Sequence, residues 1–298
     1  MRFLHIGNIC GIPNSIRDAQ IELGHVSKTL SFDPDLHHIS DFDYDIPYSL
    51  GRITSALLRI LVLFKIGWKY DVFHFAGNSL ANGMDIPFWK LLGKKIIIHY
   101  HGSEIRNKMQ PWFHRFADAT FVSTPDLLKF APGSKWLPNP VKIENYMSAT
   151  PLPNLITHAP SNPLLKGTSE IIKVLNTIPD IKFDIISGVP YEEALRHYRE
   201  STIVIDQIKI GWYGMVSLEC MAIGTPVMCY ISEDLKYYLP EPLPLFLTSA
   251  ETLESDIPYL LHNPELQSKQ IQAGYNYVTN VHNPKNIAKL IIKSLEET

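Results

Sequence analysis

The sequence predicts an α/β protein of two parallel-sheet domains joined near residue 140. Three observations carry this. Short β-branched runs alternate with stretches of helical spacing along nearly all of the 298 residues, which is the pattern of βα units on a parallel sheet. The alternation occurs twice over, and with 45% of residues hydrophobic the chain has apolar content for a proper core in each half. Between the halves, KWLPNP (residues 135–140) sets two prolines around Asn139, which favours an extended crossing.

In the first half, Arg2 to Ile6 reads as a strand. A loop with Gly7, Gly11 and Pro13 follows, then a helix from about Asn14 to Leu23 ending at Gly24, and a second strand from Val26 to Ser31. This opening is Rossmann-like, but it carries no GxGxxG and so gives little support to a dinucleotide site. Asp33 to Asp45 (DPDLHHISDFDYD) holds three Asp-x-Asp spacings and a His pair. Carboxylate pairs suit magnesium or manganese, yet no helix N-terminus follows, and the stretch reads as a solvated loop. Ile53 to Trp68 (ITSALLRILVLFKIGW) is the most apolar stretch, with Arg52, Arg59, Lys65 and Lys69 in and around it. It fits a helix packed on the sheet, and it also fits a helix lying on an anionic membrane face. Asp71 to Phe75 is a strand, about Met84 to Leu92 a helix ending at Gly93, and Lys95 to Tyr100 a long apolar strand running into HYHGSEIR (residues 99–106). A histidine followed by Gly-Ser at a strand's carboxyl end sits where α/β sheets place ligand contacts. Ala119 to Ser123 is a strand, after which Thr124 and Pro125 predict a helix with a Thr N-cap and Pro at its first position.

The second half opens with a strand from Asn154 to Ala159. A helix follows Lys166-Gly167, its N-cap at Thr168 or Ser169. A lysine at such a junction puts an ammonium beside free helix N–H groups, which suits a diphosphate. Ile181 to Ser187 is a strand and Pro190 to Glu200 an amphipathic helix. Then comes DQIKIGWYGMVSLECMAIGTPVMCY (residues 206–230): the end of a strand that began at Thr202, a loop with Gly211 and Gly214 around two aromatics, a helix from Met215 to Ile223, Gly224 at its C-cap, and a strand from Thr225 to Ile231. Glu219 lies about one turn into that helix, placed to accept hydrogen bonds from a ligand's hydroxyls. The same pattern also fits an ordinary βαβ unit with a surface glutamate. A short strand at Leu245 to Leu247 and helices near Ala250–Leu261, Pro264–Val278 and Pro284–Leu295 finish the chain.

A net charge of −3 with mixed signs gives no nucleic-acid footprint. Three cysteines, Cys10, Cys220 and Cys229, form no disulfide framework and point to a reducing compartment. The chain enters a strand directly, without the apolar region of a signal peptide, and no window is apolar enough to span a bilayer. A cytoplasmic protein is the expectation, with the inner membrane face as a further option through residues 53–68.

YGMVSLECMAIGTPV resembles the C-terminal signature of the GT-B retaining glycosyltransferases of family four, a phrase like EPFGLVALEAMACGTPV with two glutamates eight residues apart. Gly214, Leu218, Glu219, Met221, Ala222, Gly224, Pro226 and Val227 match. The first glutamate falls at Gly211, and an arginine five residues before the family's lysine falls at Ser161. The resemblance covers nearly the whole chain. It implies a GT-B fold, two Rossmann-like domains facing a cleft: residues 1–139 on the acceptor side, 140–283 binding the nucleotide sugar, and a helix at 284–298 crossing back onto the first domain. It implies catalytic roles for His101, Lys166 and Glu219. Gly167, Thr168, Gly211, Trp212, Tyr213, Gly214 and Met215 would bind the donor, with Asn8, Gly11, Pro13, Ser103 and Arg106 on the acceptor side. The activity implied is transfer of a sugar from a nucleoside-diphosphate sugar to a hydroxyl of a carbohydrate or lipid-linked acceptor, with retained configuration, in cell-envelope polysaccharide, lipopolysaccharide or glycolipid assembly. Neither a cofactor nor a metal is expected. The changes at Gly211 and Ser161 leave open a nucleotide-binding or scaffold protein without transfer, and a sugar-nucleotide epimerase is a third reading.

Overall fold

The computed structural model describes residues 1–7, 9–32, 42–46, 52–77, 83–143 and 151–297, with the backbone alone for 52–57. The chain forms two compact units, Met1–Pro140 with Pro284–Thr298, and Val141–Asn283.

The first unit runs β1 (Arg2–Ile6), α1 (Ile12–Glu22), β2 (Val26–Ser31), β3 (Tyr44–Asp45), α2 (Arg52–Gly67), β4 (Val72–Ala76), α3 (Asp85–Leu91), β5 (Lys95–Tyr100), β6 (Ala119–Val122) and β7 (Lys135–Trp136). The strands make one parallel sheet in the order β3-β2-β1-β4-β5-β6-β7. The order reverses between β1 and β4, so the crevice outside their carboxyl ends is the place for a ligand. Gly7 shows how closely the two ends approach. At φ 106 it sits where a Cβ would lie 2.5 Å from the Ala76 carbonyl oxygen.

Alternation along the strands sorts side chains onto the two faces. Leu4, Ile6, Phe73, Phe75, Ile96 and Ile98 join Leu63, Ile66, Ile86 and Trp89 of α2 and α3 in one core. Trp89 stacks on Phe73 at 4.8 Å between ring centroids. The intervening positions put His5, His74 and His99 on the α1 face, all of them buried.

The second unit runs β8 (Leu155–His158), α4 (Pro163–Lys166), α5 (Thr168–Leu175), β9 (Lys182–Ile185), α6 (Tyr191–Glu200), β10 (Ile203–Ile205), α7 (Met215–Ile223), β11 (Val227–Cys229), β12 (Phe246–Leu247), α8 (Leu253–Leu261) and α9 (Pro264–Val281). Its parallel sheet has the order β12-β11-β10-β8-β9, reversing between β8 and β10. Ile156, Ile203, Ile205 and Met228 pack against Ile171 and Leu175 of α5 and Leu253, Ile257 and Leu260 of α8. The last helix, α10 (Pro284–Glu296), packs on α1 in the first unit, where Lys285 pairs with Glu22 at 2.8 Å.

Three local expectations change. Thr124 and Pro125 begin only a 3-10 turn, Pro125–Leu127, without a side-chain cap, because Pro132-Gly133 and the short distance to β7 leave no room for a helix. The N-cap of α5 is Gly167, at φ 78, and neither Thr168 nor Ser169 fills it. The Thr168 hydroxyl is taken by His158 instead. Helix α1 starts two residues early, so Pro13 lies inside its first turn. Of the Asp33–Asp45 stretch, residues 33–41 lie outside the described residues. Asp43 accepts from Lys28 at 2.6 Å and from the Thr29 N–H at 2.9 Å. Among the described residues, no group of three or more metal-ligating side chains could hold an ion.

Candidate functional site

In the second unit the site grows out of the reversal between β8 and β10. Strand β10 is purely apolar and is followed by Asp206, which is fully buried. A buried carboxylate must be paired. The Lys166 ammonium, at the end of α4, donates to Asp206 Oδ1 at 2.7 Å and to the Ala159 carbonyl at 3.3 Å. Asp206 Oδ2 accepts from the Gly214 N–H at 2.8 Å and the Ser217 hydroxyl at 2.7 Å. Burial alone would raise the Asp206 pKa, but the Lys166 charge and these hydrogen bonds hold it below the ordinary carboxylate value. One carboxylate thus ties the end of α4 to the start of α7.

The next residue, Gln207, templates the loop. Its Oε1 accepts from the Lys209 and Ile210 N–H groups at 2.7 and 2.6 Å, and its Nε2 donates to the Trp212 and Tyr230 carbonyls at 3.1 and 2.6 Å. The loop turns at Gly211, at φ 87, where a Cβ would meet the Ser232 side chain at 3.1 Å. Backbone in that region disfavours any side chain. Trp212 and Tyr213 both turn their rings inward. Tyr213 bonds the Tyr277 hydroxyl at 2.8 Å and His282 Nε2 at 2.9 Å. Of these two, only the backbone faces the loop's outer side. Gly214 caps α7, and the first N–H groups of that helix, from Met215 on, have no partner within it.

Glu219 has no hydrogen bond or ion pair among the described residues. Part of its surface is exposed, yet the protein around it pushes its carboxyl up to about 8. Burial is the main cause, opposed by the Lys166 charge and reinforced by Asp206. An unpartnered carboxyl group one turn above free helix N–H groups can accept from a ligand's hydroxyls once it ionises. Gly167 and Thr168 form the opposite lip. His158 Nδ1 donates to the Ile205 carbonyl at 2.8 Å, which leaves Nε2 to accept from Thr168 at 2.9 Å. Lys209 crosses over Gly167 and pairs with Glu170 on the first turn of α5 at 2.5 Å. Asp206, Gln207 and Lys209 were not among the sequence candidates. Only the acid closing an apolar run hinted at the first.

In the first unit, His101 follows β5. Both its ring nitrogens are buried without a partner among the described residues, and burial lowers its pKa to about 4. Its ring lies 4.1 Å from that of His99, and its N–H is held by the Glu104 carboxylate. Arg106 is committed to Asp126 at 2.7 Å, and Ser103 is exposed. Gly11 caps α1 at φ 67, and Pro13 is buried in that helix. Asn8 lies outside the described residues.

No protein-family model matches the chain, and no curated protein sequence matches it. Solved structures do. The Anabaena protein HepE in complex with UDP matches with a TM-score of 0.67 at 14% identity, with 100% of each chain covered. A glycosyltransferase from Rickettsia africae gives 0.73 at 13% identity over 99% of this chain and 98% of that one. The UDP-GlcNAc 2-epimerase of Neisseria meningitidis, bound to UDP-GlcNAc, gives 0.59 at 14% identity, with 100% of each chain covered. At such identities the likeness establishes the fold: two parallel-sheet α/β domains of the GT-B kind.

Proposed function

We propose that the chain is a glycosyltransferase that takes its donor, a nucleoside-diphosphate sugar, at the β8/β10 reversal of the second unit. The observation that carries this is the unpartnered Glu219 beside the Lys166–Asp206 pair, between the N-termini of α5 and α7. In this reading the ribose hydroxyls donate to Glu219. Ionising Glu219 at pH 7 costs about 1.4 kcal/mol for each pH unit below its pKa, while each hydrogen bond to a charged group returns about 1.5–3 kcal/mol. The ionised form therefore wins once the diol is bound.

The diphosphate rests on the third Lys166 proton and the N–H groups at Thr168 and Met215. Lys209 takes the place of the arginine that Ser161 replaces, leaving an exposed pair with Glu170 that is worth little. These groups stabilise the charge that develops as the bond from the sugar to the diphosphate breaks. The acceptor hydroxyl forms the new bond with retained configuration, its proton passing to the departing phosphate. The charge is met without a metal ion. The acceptor is a carbohydrate or a lipid-linked sugar of the cell envelope. UDP is the first donor nucleotide to try, since the matched structures above include UDP and UDP-sugar complexes.

A second reading has its own observations. Gly211 occupies a turn that disfavours a glutamate, and Ser161 is exposed in the place of a cation. A protein that binds a nucleotide sugar without transferring it fits both.

The test is a thermal-shift series with UDP, GDP and ADP on the wild type, Lys166→Ala and Lys209→Ala, each read against its own melting point. A ligand at about a hundred times its dissociation constant adds about 2.7 kcal/mol. A shift with one nucleotide, absent in Lys166→Ala and reduced in Lys209→Ala, supports the site. No shift with any nucleotide sinks it. Sugar release from the donor, with or without an acceptor product, then separates transfer from binding.

A further inference from the structure

The first unit carries an apolar surface that its own core does not use. On α2, Leu61 is 66% exposed and Trp68, just past the helix, 53%. Phe64 lies between them, its ring 4.8 Å from that of Phe88 on α3, so the two helices present one continuous patch. Leu91, 87% exposed, and Leu92 extend it. Leu61, Phe64 and Lys65 share one face of α2 by helical spacing, and Trp68 and Lys69 follow in the turn just past its end. Both lysines are exposed and have no partner among the described residues.

The charge around this patch has one sign. From Arg52 to Lys69 the chain has four cations and no acid, although its net charge is −3. On α3 the one acid, Asp85, is buried, and Lys90 and Lys94 are held by Asp118 and the Tyr70 carbonyl. Arg59 donates to the Phe32 carbonyl, so Lys65 and Lys69 are exposed cations of this face without a partner among the described residues.

We propose that this face docks on a lipid bilayer containing anionic phospholipid. Leu61, Phe64, Trp68 and Leu91 enter the headgroup–acyl boundary, while Lys65 and Lys69 reach the phosphates. Charge argues for this occupant over a second copy of the chain. A two-fold contact through the same patch would set lysines against lysines. Trp68, with an apolar ring and a polar N–H, suits a boundary that is dry on one side and wet on the other. The inference stands apart from the nucleotide reading, since it uses no residue of the second unit.

The experiment is sedimentation of the full chain with vesicles of phosphatidylcholine alone and of phosphatidylcholine with phosphatidylglycerol. Three proteins are compared: wild type, Lys65→Ala with Lys69→Ala, and Leu61→Glu with Leu91→Glu. The last pair sits at exposed positions, and its fold is checked by circular dichroism and melting. The wild type should bind the anionic vesicles only. The lysine pair should lower partitioning about thirtyfold at low salt, and the glutamate pair should abolish it while the melting temperature holds. Failure of the wild type to sediment with anionic vesicles overturns the proposal. So does equal binding to neutral vesicles, undiminished binding by the folded glutamate pair, or a solution dimer that shields Trp68.

Discussion

Glu219 holds a proton at neutral pH in a place where an ordinary glutamate would not, and that has a cost. With its pKa at about 8 in the folded chain and near 4.5 unfolded, the unfolded state releases its proton first as pH rises. Stability is unaffected below the unfolded value and falls as pH climbs toward 8. Glu219→Gln removes this linkage. It should stabilise the protein by about 2–4 kcal/mol near pH 8 and by little near pH 4, measured by denaturant unfolding at both. Equal stability of the two proteins at pH 8 would contradict the assignment. Glu219 and Lys166 could be named as candidates from the sequence because Glu219 lies one turn into a predicted helix and Lys166 just ahead of another. Asp206 and Gln207 were not, because their roles come from partners up to 40 residues away. The same is true of Lys209, whose side chain is placed by the fold of α5 beside it.

The loop from Asp206 to Gly214 is the element on which the account turns. Gln207 satisfies three of its backbone groups and ties it to the Tyr230 carbonyl, and Gly211 supplies its left-handed turn. A glutamate at that position would restore the family phrase and break the local geometry. Gly211→Glu should destabilise by about 1–3 kcal/mol and should not strengthen nucleotide binding. A gain in UDP affinity without loss of stability would show that the loop tolerates a side chain there. The helices and strands around this loop were readable from periodicity, with ends displaced by one to three residues. Helix α7 and its Gly224 cap fall where the pattern put them. The turn at Pro125 was misread because capping chemistry announces a start and says nothing of the space left for a helix. The inward turn of Trp212 and Tyr213 was also hidden, since Tyr277 and His282 are 64 and 69 residues from Tyr213.

Across the molecule, alternation of strand and helix was enough to predict two parallel sheets, while strand order needed the pairings themselves. The sheet of the first unit contains a feature that pattern alone did not value: four imidazoles in succession. His5 and His74 are hydrogen-bonded at 2.8 Å, His74 stacks on His99 at 5.5 Å, and His99 lies 4.1 Å from His101. Burial lowers all four pKa values, to about 4 for His5 and His101 and well below normal for the other two. Histidines held neutral in the fold but free to protonate near pH 6.5 when unfolded contribute stability in full above that pH. The contribution is lost as pH falls toward 4, by up to about 1.4 kcal/mol per pH unit for each. Glu219 opposes this with a single proton. Unfolding at pH 7.5 and 5.5 should therefore give a markedly lower stability at the acid end, and pH-independent stability would contradict the burial of this row.

The measurement closest to the central claim is calorimetric titration of UDP near pH 7 in buffers of different ionisation enthalpy, on the wild type and Glu219→Gln. A group with a pKa of about 8 is about nine-tenths protonated at pH 7. Binding of the ribose to its ionised form should therefore release about 0.9 proton in the wild type and none in the variant, whose affinity falls. Binding with no proton release, or the same release from both proteins, would mean that Glu219 does not receive the nucleotide and that the site at the β8/β10 reversal is wrongly assigned.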